Sequence, residues 1–134
     1  NCIIKYPKKI YCKYESLFDK ILVSNGKNLV IKTKKNNQYY RYSLDDTPLN
    51  FLLDKKYLIN KIKELEMKII NDKYLNFSIE SKNSTINIYF DKVNYNIVGW
   101  QTEDIYQNLA VTFIYNLKIN EKIDEKYFRL PKID

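Results

Sequence analysis

The sequence predicts a mainly β domain, built of antiparallel strands and interrupted by one short apolar helix near Thr47–Asp54. Apolar and polar residues alternate along most of the chain, as strands with one buried face require. Tyrosine is abundant (13) while glycine (2) and proline (3) are scarce, and Tyr and Ile suit a pleated, half-buried surface. The alternation breaks once, at Asp45-Asp46-Thr47-Pro48.

In chain order, Ile10-Tyr11-Cys12-Lys13-Tyr14 places its even positions on one face. Lys20-Ile21-Leu22-Val23-Ser24 runs into Asn25-Gly26, the strongest short hairpin signal of the sequence, and Asn28–Lys32 returns. Lys34-Lys35-Asn36-Asn37 turns the chain into Gln38–Leu44. Thr47 then reads as a helix N-cap and Pro48 as the first helical residue, with Asp45 and Asp46 near the positive end of the dipole. Leu49, Leu52 and Leu53 share one side at i, i+3 and i+4, widened by Phe51. Tyr57–Ile62 offers a further helical turn. Beyond Glu64, Leu65, Met67 and Ile69 alternate with charges as a strand would. Strands follow at Tyr74–Glu80, Thr85–Phe90, Tyr95–Thr102 and Leu109–Leu117, with turns at Asn71-Asp72, Ser81–Ser84 and Asp91–Asn94. The even spacing predicts a meander in one large sheet, sandwich or barrel. Ile123–Tyr127 is expected to form one helical turn.

At 134 residues the chain is long enough for a single buried core. The balance of 23 basic against 16 acidic residues, a net +7, bears on partners rather than fold. The lysines are scattered, which suits a solvated surface better than a clustered footprint. No apolar stretch approaches the roughly 20 residues that span a bilayer. Cys2 and Cys12 leave two possibilities. On one straight strand their sulfurs would lie about 33 Å apart, whereas a hairpin turning at Tyr6-Pro7-Lys8 would set them opposite each other. Two free thiols are the preferred expectation.

Catalytic groups are sparse. The chain has no histidine, which excludes Ser-His-Asp and Cys-His nucleophile systems. Two cysteines without histidine do not make a standard structural zinc site, and the only glycines, Gly26 and Gly99, build no phosphate loop. Carboxylate pairs such as Asp45/Asp46, Glu64/Glu66 and Glu103/Asp104 read as surface acids. No cofactor is expected, and a binding role is preferred to an enzymatic one. Tyr39, Tyr40, Tyr42, Tyr89 and Tyr115, set among lysines, could stack single-stranded bases or simply cover a sheet. The leucine stripe of the helix is either plain core packing or the closure of an apolar ligand cavity.

Specific strings resemble a known family. Ile4-Lys5-Tyr6-Pro7-Lys8-Lys9-Ile10 and Ile21–Leu29 look like consecutive strands of the periplasmic outer-membrane lipoprotein carriers (LolA type). Tyr42–Leu53 is similar to that family's passage from sheet to helix, and Val98-Gly99-Trp100 with Asp104, then Phe128 and Pro131, follow its C-terminal half in order and spacing. The resemblance implies a strongly curved antiparallel sheet, an unclosed half-barrel, with a helical lid over the concave face and acyl chains between. Carried over onto this chain, it implies lipid-binding positions at Ile10, Cys12 and Tyr14 on the sheet and at Leu49, Leu52 and Leu53 on the lid. Phe77, Ile88 and Trp100 complete the expected wall.

The family's Lys-Arg-Pro is Lys5-Tyr6-Pro7 here, so Tyr6 stands where the arginine that latches the lid would be, with one hydroxyl in place of a guanidinium. Asp104–Asn108 also departs, where the family commonly has a turn glycine. Family members carry an N-terminal helix and a first strand ahead of this chain's start, which implies one domain over 1–134 that is N-terminally truncated. The implied function is a monomeric periplasmic carrier that takes lipoprotein acyl chains from an inner-membrane releasing transporter to an outer-membrane receptor, without nucleic acid. The alternatives are the receptor of the same fold (LolB type), which needs a lipidated N-terminal cysteine, and a basic β module binding single-stranded nucleic acid. Cys2 lies too close to a strand to serve as that cysteine.

Overall fold

A computed structural model describes residues 1–15, 18–81, 84–102, 108–111, 114, 116–119 and 122–133. The protein is mainly β, and its strands fall into two open sheets. The first sheet holds β1 (Cys2–Lys5), β2 (Lys9–Lys13), β3 (Lys20–Asn25), β4 (Asn28–Thr33) and β5 (Gln38–Ser43) in chain order. The second holds β6 (Lys68–Ile70), β7 (Tyr74–Ser81), β8 (Ser84–Asp91) and β9 (Ile97–Thr102), also in chain order. Strand β10 (Lys118–Ile119) returns to the first sheet and runs parallel to β1, with Ile3 opposite Lys118. This pair departs from the expected all-antiparallel arrangement.

Turn chemistry sets the registers. Gly26 adopts φ +102 between β3 and β4, a conformation that costs glycine no steric strain. Its neighbour Asn25 accepts the Lys27 and Asn28 N–H groups on Oδ1, both at 2.9 Å. Asn71 and Asp72 both take positive φ (51 and 54), the signature of a tight turn that matches strand twist. Asp91 holds the β8–β9 turn by accepting from the Val93 and Asn94 amides.

The cysteines answer to the hairpin geometry. β1 and β2 pair in the register Cys2 opposite Cys12, and the two sulfurs form a disulfide. The preference for two free thiols is therefore corrected: the turn at Tyr6-Pro7-Lys8 does form, with a cis Tyr6–Pro7 bond.

The helical segment is reorganised relative to expectation. Leu44–Asp46 forms a 3₁₀ turn, α1 is the single turn Leu49–Leu52, and the longer helix is α2 (Lys55–Glu64). Thr47 does not cap α1; its hydroxyl donates to the Leu44 carbonyl at 2.9 Å and closes the 3₁₀ turn. Asp54, expected to end the helix, instead starts α2 by accepting the Tyr57 N–H at 3.1 Å, as an N-cap does. Because α2 continues to Glu64, the expected strand through Leu65, Met67 and Ile69 shrinks to the short edge strand β6, with Met67 and Ile69 exposed.

Within the expected strand Leu109–Leu117 the described residues make main-chain bonds to β9: Val111 exchanges N–H···O bonds with Trp100, and the Ile114 N–H donates to Val98. Thr112, Phe113 and Tyr115 lie outside the described residues, as do Glu103–Gln107. The expected terminal turn is present, as a 3₁₀ turn at Glu125–Phe128.

One buried cluster joins the inner faces of both sheets: Ile4, Ile10, Leu22, Leu29 and Ile31 from the first, Ile79, Ile86, Ile88 and Trp100 from the second. The outer face of the first sheet is covered too. Val23 and Val30 point away from this cluster, yet are buried. The 3₁₀ turn Glu125–Phe128 packs on β2 and β3, with Phe128 buried and the Tyr127 ring 5.6 Å from Tyr11.

Candidate functional site

The segment between the sheets carries the apolar side chains that the sequence singled out. Leu49, Leu52 and Leu53 have no exposed surface and belong to the same cluster as Ile10, Cys12, Ile88 and Trp100. Strand alternation explains this convergence. Ile4 and Ile10 face each other across the hairpin, as do Cys2 and Cys12, and Trp100 sits opposite Ile88 across β8–β9. Trp100 is pinned by its indole N–H, which donates to the Leu109 carbonyl at 2.7 Å, so its ring presents a fixed wall.

Of the other expected positions, Tyr14 packs against the cluster while staying partly exposed, and Phe77 lies on the inner face of the second sheet opposite Ile88. The Phe77 ring meets Phe90 edge-on at 5.9 Å, outside the main cluster. Cys12 contributes its half of the disulfide to the wall rather than a thiol. A groove of about 610 Å³ also opens at the β10 edge, lined by Asn1, Cys2, Ile3, Tyr11, Asn116, Leu117 and Lys118. None of these residues belongs to α1.

The loop between β1 and β2 reaches α1. The Lys8 main-chain N–H donates to the Leu53 carbonyl at 2.9 Å, and the Ser24 hydroxyl donates to the Lys8 carbonyl at 2.7 Å. The sequence pointed to the Tyr6 side chain for this contact. Tyr6 packs half-buried against the cluster, and burial pushes its phenol pKa up; the Lys8 backbone makes a bond from this loop to the end of α1. No side-chain pattern encodes a main-chain donor, which is why the sequence reading missed it.

Polar atoms inside this apolar region are few. The Tyr14 hydroxyl, Asn50 Oδ1 and Asn108 Oδ1 are buried without a hydrogen-bond partner among the described residues. Asn108 Nδ2 donates to the Tyr42 hydroxyl at 3.2 Å. Of the tyrosines considered for base stacking, Tyr39 donates to the Pro131 carbonyl at 3.0 Å and Tyr89 to Gln101 at 3.1 Å, Tyr40 is exposed, and Tyr115 lies outside the described residues. Among the described residues no group of three or more His, Cys, Asp or Glu side chains is placed to hold a metal, and no helix is long and apolar enough to cross a membrane.

Two open sheets with a shared apolar interior, and a one-turn leucine helix packed into it, define a β protein whose inside is hydrocarbon-like. The family profile described as outer membrane lipoprotein carrier protein LolA matches residues 2–131, and the chain belongs to that family. The family consists of lipoprotein carriers that act in the periplasm. A comparison with curated proteins finds no match.

Proposed function

We propose that this chain is a periplasmic carrier that shelters lipoprotein acyl chains between its two sheets, with α1 as the lid. In this reading it works as a monomer and a single domain. It takes cargo from an inner-membrane releasing transporter and gives it to an outer-membrane receptor, beneath a half-barrel whose inner wall includes Ile10, Cys12, Tyr14, Phe77, Ile88 and Trp100. The observation that carries the proposal is the burial of Leu49, Leu52 and Leu53 against both sheets, in a chain of this family. Those leucines occupy the space that an acyl chain would take. Exchanging leucine contacts for methylene contacts is nearly balanced, because each buried CH₂ contributes about 0.8 kcal/mol in either case. A carrier needs that balance, since it must release what it binds. The receptor alternative finds no support in Cys2, whose sulfur is bonded to Cys12.

The test measures binding of a fluorescent fatty-acyl probe at two salt concentrations, beside release of a lipoprotein from inner-membrane vesicles. Binding that changes little with salt, with release into the soluble fraction, is the expected result. Absence of both, or binding that weakens steeply with salt as a nucleic-acid binder's would, overturns the proposal.

A further inference from the structure

Tyr14 follows β2 directly and extends its ladder with β3, donating its N–H to the Lys20 carbonyl at 3.0 Å. By alternation its side chain shares the inner face with Ile10 and Cys12. The residue is partly exposed, yet its hydroxyl oxygen is buried, so the phenol tip points into the apolar interior. That hydroxyl has no partner among the described residues. Burial pushes its pKa well above the ordinary phenol value, which keeps it a neutral donor at every physiological pH.

Among the described residues, the polar side chain on the strand beyond Lys20 is engaged elsewhere. Thr33, across from Lys20, gives its hydroxyl to Asn36 and accepts the Gln38 N–H. The Lys20 ammonium lies 4.3 Å from the Tyr14 ring centroid, over the face, where a cation holds an aromatic ring in place. The ring is thus braced while its donor is left open. A buried donor without an acceptor costs folding free energy, and such a group calls for an explanation.

Resting on the carrier reading, we propose that Tyr14 is the carbonyl-recognition residue of the interior. Its hydroxyl donates to the ester or amide carbonyl at the root of a bound acyl chain. A saturated chain is apolar along its whole length except at that carbonyl, so this is the acceptor an acyl ligand brings into a dry interior. Tyr14 lies six residues beyond Lys8, about 20 Å along an extended strand. A chain lying on β2 would thus have its polar root at Tyr14 and its tail beneath α1. The tyrosine would select the orientation of the chain, and with it acyl esters over plain hydrocarbon.

The experiment compares an ester-linked diacyl lipopeptide and a diacyl phospholipid, the ether-linked analogue of each, and a hydrocarbon probe on the wild type and on Tyr14→Phe. The wild type is expected to bind the ester lipopeptide about tenfold tighter than the ether, as one hydrogen bond allows. Tyr14→Phe is expected to bind both alike and to melt no lower. An ester preference confined to the lipopeptide assigns the carbonyl to lipoprotein cargo, and the same preference with phospholipid assigns it to acyl lipids at large. A wild type that binds ester and ether equally, or a Tyr14→Phe protein that keeps the preference, overturns the assignment and leaves the carrier reading standing. Failure of the wild type to bind any probe overturns both.

Discussion

On its inner face the first sheet meets the leucines of α1; on its outer face it meets the C-terminal segment, and the two coverings differ in kind. Inside, Leu49, Leu52 and Leu53 pack on Ile10, Cys12 and the facing sheet. Outside, Phe128 is buried on β2 and β3 within a frame of polar bonds. Glu125 accepts from Lys5 at 2.5 Å and Lys9 at 2.9 Å, Tyr39 donates to the Pro131 carbonyl, and Lys32 donates to the Lys132 carbonyl at 2.6 Å. These bonds reach from β1 to β5, across the whole antiparallel part of the sheet. Directional bonds fix a segment in one place, whereas apolar packing only requires that something apolar be there. The outer covering therefore behaves as structure, while the inner one, on the proposed carrier reading, is the part that a hydrocarbon would replace.

The largest effects should come from truncating the two anchors. Phe128→Ala is expected to cost about 3–5 kcal/mol and Leu52→Ala about 2–5 kcal/mol in denaturant unfolding. Saturating acyl probe should restore part of the stability lost in Leu52→Ala and none of that lost in Phe128→Ala. Equal rescue of both, or of neither, would break the distinction between the faces. Replacing Cys2 and Cys12 by serine should cost about 3 kcal/mol, the amount associated with closing so short a loop, and should loosen the hairpin whose turn meets α1. Asp54→Ala removes the N-cap of α2 and should cost about 0.5–2 kcal/mol, with helix loss visible in far-UV circular dichroism.

The smallest effect is pH-dependent and confined to the outer face. The Lys5 and Lys9 ammonium groups hold the Glu125 carboxyl down at about 2, from an ordinary 4.5. A carboxylate held low stabilises the fold above its unfolded value, and that contribution fades as pH falls from about 4.5 towards 2. Because Glu125 is exposed, the effect should be modest and screened by salt. Hydrogen exchange at Phe128, relative to the unfolded chain at the same pH, should quicken over that window while that of α1 stays unchanged. Acceleration at both sites would show that the two coverings are coupled.

Much of the first sheet could be read from local chemistry. Asn25-Gly26 named its hairpin there, as Asn71-Asp72 did in the second sheet, and alternation placed Ile10 and Cys12 on one face. What sequence spacing could not supply was pairing between distant segments. The parallel β1–β10 contact and the division into two sheets depend on residues far apart in the chain, where no turn fixes the register. Asp54 was ambiguous because an aspartate after a leucine run can end one helix or begin the next. The outer covering did leave a signal: Leu22-Val23 and Val30-Ile31 break the alternation with adjacent apolar residues, the pattern of a strand buried on both sides. The inward tip of Tyr14 had none, since alternation gives a residue's face but not the fate of its hydroxyl.

The bond from Lys8 to Leu53 joins one main chain to another, and this has a genetic consequence. An alanine scan would pass over it, because every substitution except proline keeps the amide. Lys8 has φ 67, a value closed to proline, so proline too would act by breaking the turn rather than by deleting the bond. Random point mutation can therefore alter the surroundings of this contact but cannot remove it cleanly. Its contribution becomes visible only when the amide at position 8 is replaced by an ester through chemical synthesis, with every side chain left in place.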